Sequence, residues 1–231
     1  MMRDQFVDAL IEFRTQNQNA ILLTADLGFG IFEEFERRFP ESFINVGVCE
    51  QSMAGIATGI GLCGRPIFAY SIGNFTTMRC LEQIRNDAAY HEVNVNFVAS
   101  GGGFSYGQLG MSHHATEDLA IMRALPGVQS FAPCTTLEAS RLTGHIARTA
   151  GVSYLRLDKS WAPDTGEDFE VGKLRCFCEG EKVAIIATGG ILLEALSAKK
   201  LLSTSGIEPA VYGCHSLKPI DKDSLGKIAQ K

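Results

Sequence analysis

Apolar strand-like runs alternate with helical runs along most of the chain, and this alternation limits the fold more than any other feature. A run such as "AILLTAD" (20–26) is apolar almost throughout, which is typical of a strand buried on both faces. The predicted strands are 20–26, 43–47, 66–71, 93–100, 128–133 and 152–157, and the predicted helices are 3–16, 30–38, 50–62, 75–90, 116–125 and 135–149. This order predicts an α/β fold, a three-layer α/β/α structure with a parallel sheet whose ligands bind outside the carboxyl ends of the strands.

The alternation stops at residues 158–180, where proline, glycine and acidic residues accumulate. We predict a linker with a short strand there, followed by a second α/β unit with strands 182–188 and 209–214, a helix at 190–204 and the start of another helix after "KPIDKDSL". The predicted organisation is a first domain of residues 1–160, a linker of residues 161–180 and a partial second domain of residues 181–231. About fifty residues are too few to close a sheet of ordinary size, so we expect this domain to be a fragment or to complete itself against another chain.

Composition argues against several classes of function. The chain is 45% hydrophobic and 20% charged, as in a soluble globular protein, and its net charge of −5 without a long basic run argues against nucleic acid and anionic membranes as partners. No apolar stretch approaches the roughly 20 residues that span a bilayer, and the N-terminal helix lacks a signal-peptide core. The seven cysteines have irregular spacing, which favours reduced thiols over a disulfide framework. We therefore predict a cytoplasmic protein with no nucleic-acid or membrane partner.

Residues 59–64, "GIGLCG", match the letters of the dinucleotide-binding pattern G-x-G-x-x-G. That pattern binds pyrophosphate only where it follows a strand and opens a helix. Here the glycines close a predicted helix and lead into a strand, so close packing and helix termination account for them and dinucleotide binding is rejected.

The stretch "ASGGGFSYGQLGMSHHATEDLA" (99–120) predicts a long functional loop. It leaves a strand and runs without periodicity until a helix predicted to start near Thr116. Glycine carries a large entropy cost when it is ordered, and long ordered loops at the carboxyl ends of strands commonly carry function. His113 and His114 lie just before the helix, where an imidazole can reach a ligand; alternatively one caps the helix and the other is solvated. No further residue has the spacing of a metal ligand set, so no metal site is predicted in this chain.

Glu50 is a lone acid between an apolar segment and a helix of small residues. In a purely structural interpretation, Glu50 is an acid in the first turn of the helix, a position that the helix dipole favours. Its apolar neighbours indicate a functional role as well. Burial among them would raise the pKa of the carboxyl group, whereas the helix dipole would lower it. The residues expected to bury it are Val46, Val48, Met53, Ala54, Ile56 and Ala57. Such an acid at the carboxyl edge of the sheet suits proton exchange or a strong hydrogen bond.

Three further positions have two interpretations each. Asp26 closes the first strand, either as a turn residue or as part of a site. Arg156, in the middle of the strand "SYLRLDK", is either an anion binder or half of an ion pair with Asp158. Phe75 and Met78 share one face of a predicted helix, which is more typical of a core than of a pocket.

The ordered motifs of the chain resemble those of the transketolase family of thiamine diphosphate enzymes. The segments "FINVGVCEQSMAGIATGIGLCGRPIFAYSIGNFTTMRCLEQIRNDAAY", "GQLGMSHHATEDLAIMRALPGVQSFAPCTTLEA" and "YLRLDKS" are similar to the family's pyrimidine-binding domain. The segments "KVAIIATGGILLEAL" and "HSLKPID" are similar to the beginning of its C-terminal domain.

The resemblance implies roles for the candidate residues. A glutamate at the position of Glu50 hydrogen-bonds a ring nitrogen of the cofactor's aminopyrimidine and so promotes removal of the thiazolium C2 proton. Phe75 would stack on the pyrimidine, Met78 would form part of the pocket wall where typical transketolases have an aromatic residue, and Asp26 would lie near the cofactor and the dimer interface.

The resemblance also implies substrate contacts for His113 and Arg156, the latter to a substrate phosphate. Several positions depart from the family's pattern. A phosphate-side histidine, a substrate aspartate and a phosphate-side serine are replaced by Gly101, Leu109 and Gly30, and Gln51 replaces the histidine that follows the catalytic glutamate in typical transketolases. The three replacements at Gly101, Leu109 and Gly30 put the usual specificity for sugar phosphates in doubt.

The family's G-D-G…N motif, which holds Mg²⁺ and diphosphate, is not found in the sequence. We therefore expect an N-terminal, diphosphate-binding partner subunit that holds Mg²⁺, and an assembly such as a dimer or α2β2 acting on small sugars. The chain would be the C-terminal subunit of a split transketolase. Alternatives are the β subunit of a 2-oxo-acid dehydrogenase E1 component, a deoxyxylulose-phosphate-synthase-like enzyme, and a scaffold or regulatory homologue without catalysis.

Overall fold

The structure, a computed structural model, describes residues 1–16, 19–166 and 168–230, and its main body is a seven-stranded sheet. The strands are β1 (Ile21–Thr24), β2 (Phe43–Asn45), β3 (Ile67–Ile72), β4 (Val95–Ser100), β5 (Val128–Phe131), β6 (Val152–Leu157), β7 (Arg175–Cys178), β8 (Ala184–Ala187), β9 (Ala210–Gly213) and β10 (Ser216–Lys218). The order in the large sheet is β10-β5-β6-β4-β3-β1-β2, and all its neighbours are parallel except β10 and β5. The predicted α/β class with a parallel sheet is confirmed.

Helices cover both faces of this sheet. The helices are α1 (Met2–Gln16), α2 (Glu33–Arg38), α3 (Glu50–Leu62), α4 (Gly73–Thr76), α5 (Leu81–Gln83), α6 (Asp118–Ala124), α7 (Thr136–Arg148), α8 (Leu192–Ser203) and α9 (Lys222–Ile228). Because successive side chains of a strand point to opposite faces, Leu22 packs in the cluster with α1 and α7, whereas Leu23 packs in the cluster with α3. Within the described residues, no helix combines the length and the apolar character that crossing a membrane requires.

Residues 75–90, predicted as one helix, form a broken segment. α4 ends at Thr76, a 3-10 turn spans Met78–Cys80, and α5 passes into a π-helical turn at Ile84–Ala89. Thr76 and Thr77 donate their hydroxyls to carbonyls of the preceding turn at 3.0 and 2.7 Å, and Thr77 leaves the helical region (φ −110°, ψ −82°). Such side-chain bonds compete with helical backbone bonds. The prediction of a continuous helix was therefore wrong.

Residues 59–64 close a helix, as predicted from their position. α3 ends at Leu62, and Gly64 follows it with φ +80°. Gly61 packs so tightly that a Cβ atom there would lie 2.4 Å from Cγ1 of Val93. Close packing and helix termination explain these glycines.

The C-terminal part forms a small sheet and also returns to the large one. The small sheet has the order β7-β9-β8, with α8 packed on it. β10 pairs antiparallel with β5, Ser216 opposite Phe131 and Lys218 opposite Ser130. The sequence did not predict β10, because a three-residue strand whose partner is distant in the chain has no periodic signal.

Candidate active site

Glu50 is the first residue of α3, and its side chain is 3% exposed. β2 ends at Asn45, and Gly47 (φ +77°) lies in the turn that leads from the carboxyl edge of the sheet into the helix. The buried residues of this helix include Glu50, Met53, Ala54 and Ala57, which lie on one face. The acid therefore belongs to the core side of its own helix.

Two of the six residues predicted to bury Glu50 do not do so. Val48 is 75% exposed and Ile56 is 41% exposed. Ile56 lies on the other face of α3, and Val48 lies before the helix begins. That part of the prediction was wrong, because it counted apolar neighbours in sequence without regard to the helical face.

Arg79 is the partner of Glu50, and the sequence did not indicate it. Its Nη1 lies 2.7 Å from Oε2 of Glu50, and its guanidinium carbon lies 4.0 Å from the centre of the Phe75 ring. The Arg79 side chain is 42% exposed, so it covers the buried acid from the solvent side. The available signal was a cation four residues after an aromatic residue, the spacing of neighbours on a helix face.

His113 also contacts Phe75. The two ring centres are 5.0 Å apart at 61°, an edge-on contact. His113 Nδ1 lies 3.0 Å from Oγ of Ser112, and Asn74 donates its side-chain amide to the Ser112 carbonyl at 2.7 Å. The structure therefore brings Glu50, Phe75 and His113 together through contacts of neighbouring residues.

The glycine loop that carries His113 is anchored at its base. Gly103 and Ala115 exchange two backbone hydrogen bonds of 2.7 and 2.9 Å. Gly73 packs against both ends of the loop, since a Cβ atom there would lie 2.8 Å from Cβ of Ala115 and 2.9 Å from the Gly101 carbonyl oxygen. His114 is half-buried, with Nε2 3.2 Å from the Gly107 carbonyl, and so is not simply solvated.

Among the described residues, Asp26 and Met78 make no hydrogen bond, ion pair or ring contact with Glu50, Phe75 or His113. Asp26 adopts a left-handed backbone (φ +56°) just after β1, and its N–H donates to Oδ1 of Asn45 at 2.9 Å. Asn45 returns a bond from Nδ2 to Oδ1 of Asp26 at 3.2 Å. Left-handed backbone in a non-glycine residue costs energy and occurs preferentially at functional sites. Met78 is half-buried in the turn directly before Arg79.

Arg156 lies in an ion-pair cluster rather than beside Glu50. Its guanidinium contacts Asp158, one of the two interpretations that the sequence left open, and also Asp118, which the sequence did not indicate. The side chains of Arg156 and Asp158 are 12% and 11% exposed, and that of Asp118 is fully buried.

Cys80 follows Arg79 in the chain, and its thiol is buried. Burial, together with the charge of Glu50, raises the pKa of the Cys80 thiol to about 12. The thiol is therefore protonated at neutral pH and is no nucleophile here. Across the described ranges, no group of three or more His, Cys, Asp or Glu side chains is arranged to hold a metal ion.

The position of the Arg79 guanidinium shows what kind of group this site accepts. A guanidinium is flat, and it donates N–H bonds in its own plane. Here one edge bonds a buried carboxylate while the face lies on an aromatic ring. A flat nitrogen heterocycle that presents a ring N–H or a protonated ring nitrogen meets the same two requirements, so the residues fit such a ring.

Comparison with known proteins gives a consistent result. The family model of the transketolase pyrimidine-binding domain matches residues 1–164, and that of the transketolase C-terminal domain matches residues 172–231. The putative transketolase C-terminal section of Methanocaldococcus jannaschii is 36% identical, over 98% of this chain and 73% of its own length. One subunit of the apulose-4-phosphate transketolase of Phocaeicola vulgatus is 31% identical, over 99% of this chain and 75% of its own length.

Solved structures agree with the sequence comparison. A split-gene transketolase, described as an inactive β4 tetramer, superimposes with a TM-score of 0.89 at 35% identity, covering 99% of this chain and 75% of that one. A transketolase mutant from Pichia stipitis superimposes with a TM-score of 0.83 over 96% of this chain and 36% of its own, and at 22% identity it supports the fold alone.

Proposed function

The chain belongs to the transketolase family, and we propose that it is the C-terminal subunit of a split transketolase that transfers a two-carbon ketol unit from a ketose to an aldose. Transketolases are transferases that use thiamine diphosphate. Relatives that are named as a subunit or a C-terminal section imply that this chain works with a partner subunit. The reaction is the conclusion that both the relatives and the site support.

The observation that carries the proposal is the buried Glu50, which Arg79 joins to the ring of Phe75. Thiamine diphosphate ends in an aminopyrimidine, a flat ring with nitrogens at its edge, which is the kind of group that the site fits. In the proposal Glu50 bonds a ring nitrogen, Phe75 stacks on the ring face, Met78 forms part of the wall, and Asp26 flanks the site.

When bound, thiamine diphosphate supplies the electron sink that lets a carbon–carbon bond beside a carbonyl break and form again. Glu50, whose side chain is 3% exposed, would hold a proton towards a ring nitrogen of the bound cofactor without competition from bulk water. Phe75 would fix the plane of the ring. His113 has Nδ1 engaged by Ser112, which leaves Nε2 to hold a substrate oxygen.

We propose that the remaining half of the site comes from the partner subunit. The diphosphate and Mg²⁺ would be held there, with carboxylate, amide and phosphate oxygens as ligands. The proposed assembly is a dimer of such pairs, α2β2, in the cytoplasm, acting on small sugars. Support comes from the relative that is named as one subunit of a transketolase and from the chemistry of the pyrimidine side in this chain.

The test is a reconstituted complex with a diphosphate-binding subunit, assayed for ketol transfer between a ketose and an aldose. We expect Glu50→Gln to lower kcat by at least a hundredfold, because a neutral amide cannot take the proton that the carboxylate shares with the ring. Glu36→Gln, at an exposed position of α2, is the matched control and is expected to keep full activity.

Other outcomes would replace the proposal. Release of carbon dioxide from pyruvate without ketol transfer would indicate a 2-oxo-acid dehydrogenase component. Condensation of pyruvate with an aldose phosphate would indicate a deoxyxylulose-phosphate-synthase-like enzyme. Full activity of Glu50→Gln would indicate a scaffold or regulatory role for this chain.

A further inference from the structure

A buried cluster of two acids and one arginine joins three parts of the chain. Arg156, in β6, has Nη1 3.3 Å from Oδ1 of Asp118 at the start of α6. Its Nε lies 3.2 Å from Oδ1 of Asp158 and its Nη2 lies 3.3 Å from Oδ2 of the same residue. Each of the three guanidinium nitrogens therefore already contacts a carboxylate.

Neighbouring backbone closes the cluster on two sides. A Cβ atom on Gly102 would lie 2.3 Å from Cδ of Arg156, and one on Gly189 would lie 2.3 Å from Oδ2 of Asp158. Tyr154 donates its hydroxyl to Oδ2 of Asp118 at 2.6 Å. Burial raises the pKa of Asp118, while Asp158 and Asp118 together outweigh the effect of burial on Arg156 and raise the pKa of its guanidinium.

Asp158 connects the glycine loop to the C-terminal part. Its Oδ1 accepts from the Gly102 N–H at 3.3 Å, and its Oδ2 accepts from the Gly190 N–H at 2.8 Å. Gly102 is followed by Gly103, whose paired backbone bonds with Ala115 close the loop that presents His113. The cluster thus lies between the second unit and the loop.

We propose that Arg156 is a positioning residue that acts through Asp158 and Asp118 to hold the His113 loop, and that it does not bind the phosphate of a substrate. The inference rests on the proposed function and refines the substrate contacts of that site. Two carboxylates lie within 3.3 Å of the guanidinium and would repel an approaching phosphate. A phosphate would have to break these ion pairs and leave two buried acids without a partner.

The kinetic test compares one aldose phosphate and the same aldose without phosphate as acceptors, in the reconstituted complex. We expect Arg156→Met to lower kcat for both acceptors by the same factor, on the order of tenfold to a hundredfold, because the loop that presents His113 shifts. The ratio of the two KM values stays as in the wild type. A rise in KM confined to the phosphorylated acceptor would overturn the proposal.

Arg156→Lys separates the two roles further. Lysine is a point charge that still attracts phosphate, but it cannot bridge two carboxylates with a planar fork. We expect it to resemble Arg156→Met. Recovery of the phosphorylated acceptor's KM alone would contradict a positioning role.

Asp158→Asn separates the two roles, because a phosphate-binding role predicts a kinetic gain and a positioning role predicts a kinetic loss. This test does not depend on whether Arg156→Met folds. Loss of this carboxylate would release the guanidinium, so a phosphate-binding Arg156 would then bind the phosphorylated acceptor more tightly. A positioning Arg156 instead gives a similar loss of kcat for both acceptors, which is the result we expect.

Proteolysis of the chain alone provides a readout that does not need catalysis. The loop exposes Phe104, at 71% exposure, which is a chymotrypsin site. We expect Asp158→Asn and Arg156→Met to be cut faster there, whereas Asp168→Asn, whose acid is 77% exposed, is cut like the wild type.

Unchanged cutting in both cluster variants would overturn the positioning role even if ketol transfer is established. Absence of ketol transfer in the wild-type complex would instead overturn the proposed function and leave this result standing.

Discussion

In the proposed function, Arg79 and the aminopyrimidine would require the same two surfaces, the Oε2 edge of Glu50 and the face of Phe75. While the guanidinium lies 4.0 Å from the centre of the Phe75 ring, no second ring can stack on that face, and Oε2 of Glu50 is already bonded. Cofactor binding at this position therefore requires Arg79 to move. The Arg79 side chain is long and 42% exposed, so it can rotate outwards into the solvent.

We predict that Arg79→Met destabilises the chain by about 1 kcal/mol, because it leaves a buried carboxylate without its partner while the exposure of Arg79 weakens the pair. In a Glu50→Gln background the same change should cost less, since the buried charge is gone. Urea unfolding of the four proteins measures the coupling. Arg37→Met, which removes an ion pair exposed at both ends, is the control with an expected effect near zero. Equal losses in both backgrounds would contradict the pairing.

The sequence was informative at this scale where a residue is unusual among its neighbours. Glu50 was conspicuous because it is a lone acid in an apolar stretch, and Asp158 because it lies two positions from Arg156. Arg79 looked like an ordinary exposed charge on a helix. Asp118 lies 38 positions from Arg156 in the sequence, and only the fold shows that the two side chains are in contact.

At the scale of elements, α7 shows how one side chain fixes a helix start. Thr135 accepts a bond from the Glu138 N–H at 3.2 Å, the first half of a capping box. Glu138 completes it with the Cys134 N–H at 2.7 Å rather than with the N–H of Thr135. The spacing of the two residues is typical of a capping box, but it does not determine which N–H group the acid accepts from.

We expect Thr135→Ala to lower the free energy of unfolding by about 1 kcal/mol, the usual cost of losing an N-cap. Thr15→Ala, near the exposed end of α1, removes a hydroxyl that caps nothing and serves as the control. Denaturant unfolding monitored by circular dichroism measures both. A loss for Thr135→Ala no larger than the control's would show that the cap contributes nothing.

The six parallel strands of the large sheet, β1 to β6, were predicted closely because buried apolar runs between turn residues are a local signal. The break in segment 75–90 was not predicted, because it depends on hydrogen bonds from threonine hydroxyls to backbone carbonyls. Hydrophobic periodicity carries no information about such bonds. β10 was missed for a third reason: the strand with which it pairs, β5, is far away in the chain.

For the whole molecule, a second cluster of buried polar side chains joins the C-terminal part to helix α7. Arg175 of β7 has Nη1 3.4 Å from Oε1 of Glu138, and Nδ1 of His215 lies 3.8 Å from the same oxygen. Nε2 of His215 accepts from the Gly172 N–H at 3.3 Å. Burial, with a smaller effect of Arg175, lowers the pKa of His215 to about 4.

This histidine makes stability depend on pH. Its pKa is about 6.5 when unfolded and about 4 when folded, so its contribution is complete above pH 6.5 and is lost as the pH falls towards 4. We predict that His215→Gln loses less stability than the wild type between pH 7 and pH 4, by up to about 3 kcal/mol. Urea unfolding at several pH values measures this difference. His91→Gln, at an exposed site, should follow the wild type. Parallel curves for wild type and His215→Gln would disprove the contribution.

The return of β10 to the large sheet determines how the polypeptide can be divided. A fragment ending near residue 164 would contain the predicted pyrimidine-binding region yet lack the strand that pairs with β5. Its bared edge would offer unpaired N–H and C=O groups to any other chain. Fragment complementation, with both pieces produced together, is therefore the natural route to a dissected form, since the second piece brings back the missing edge.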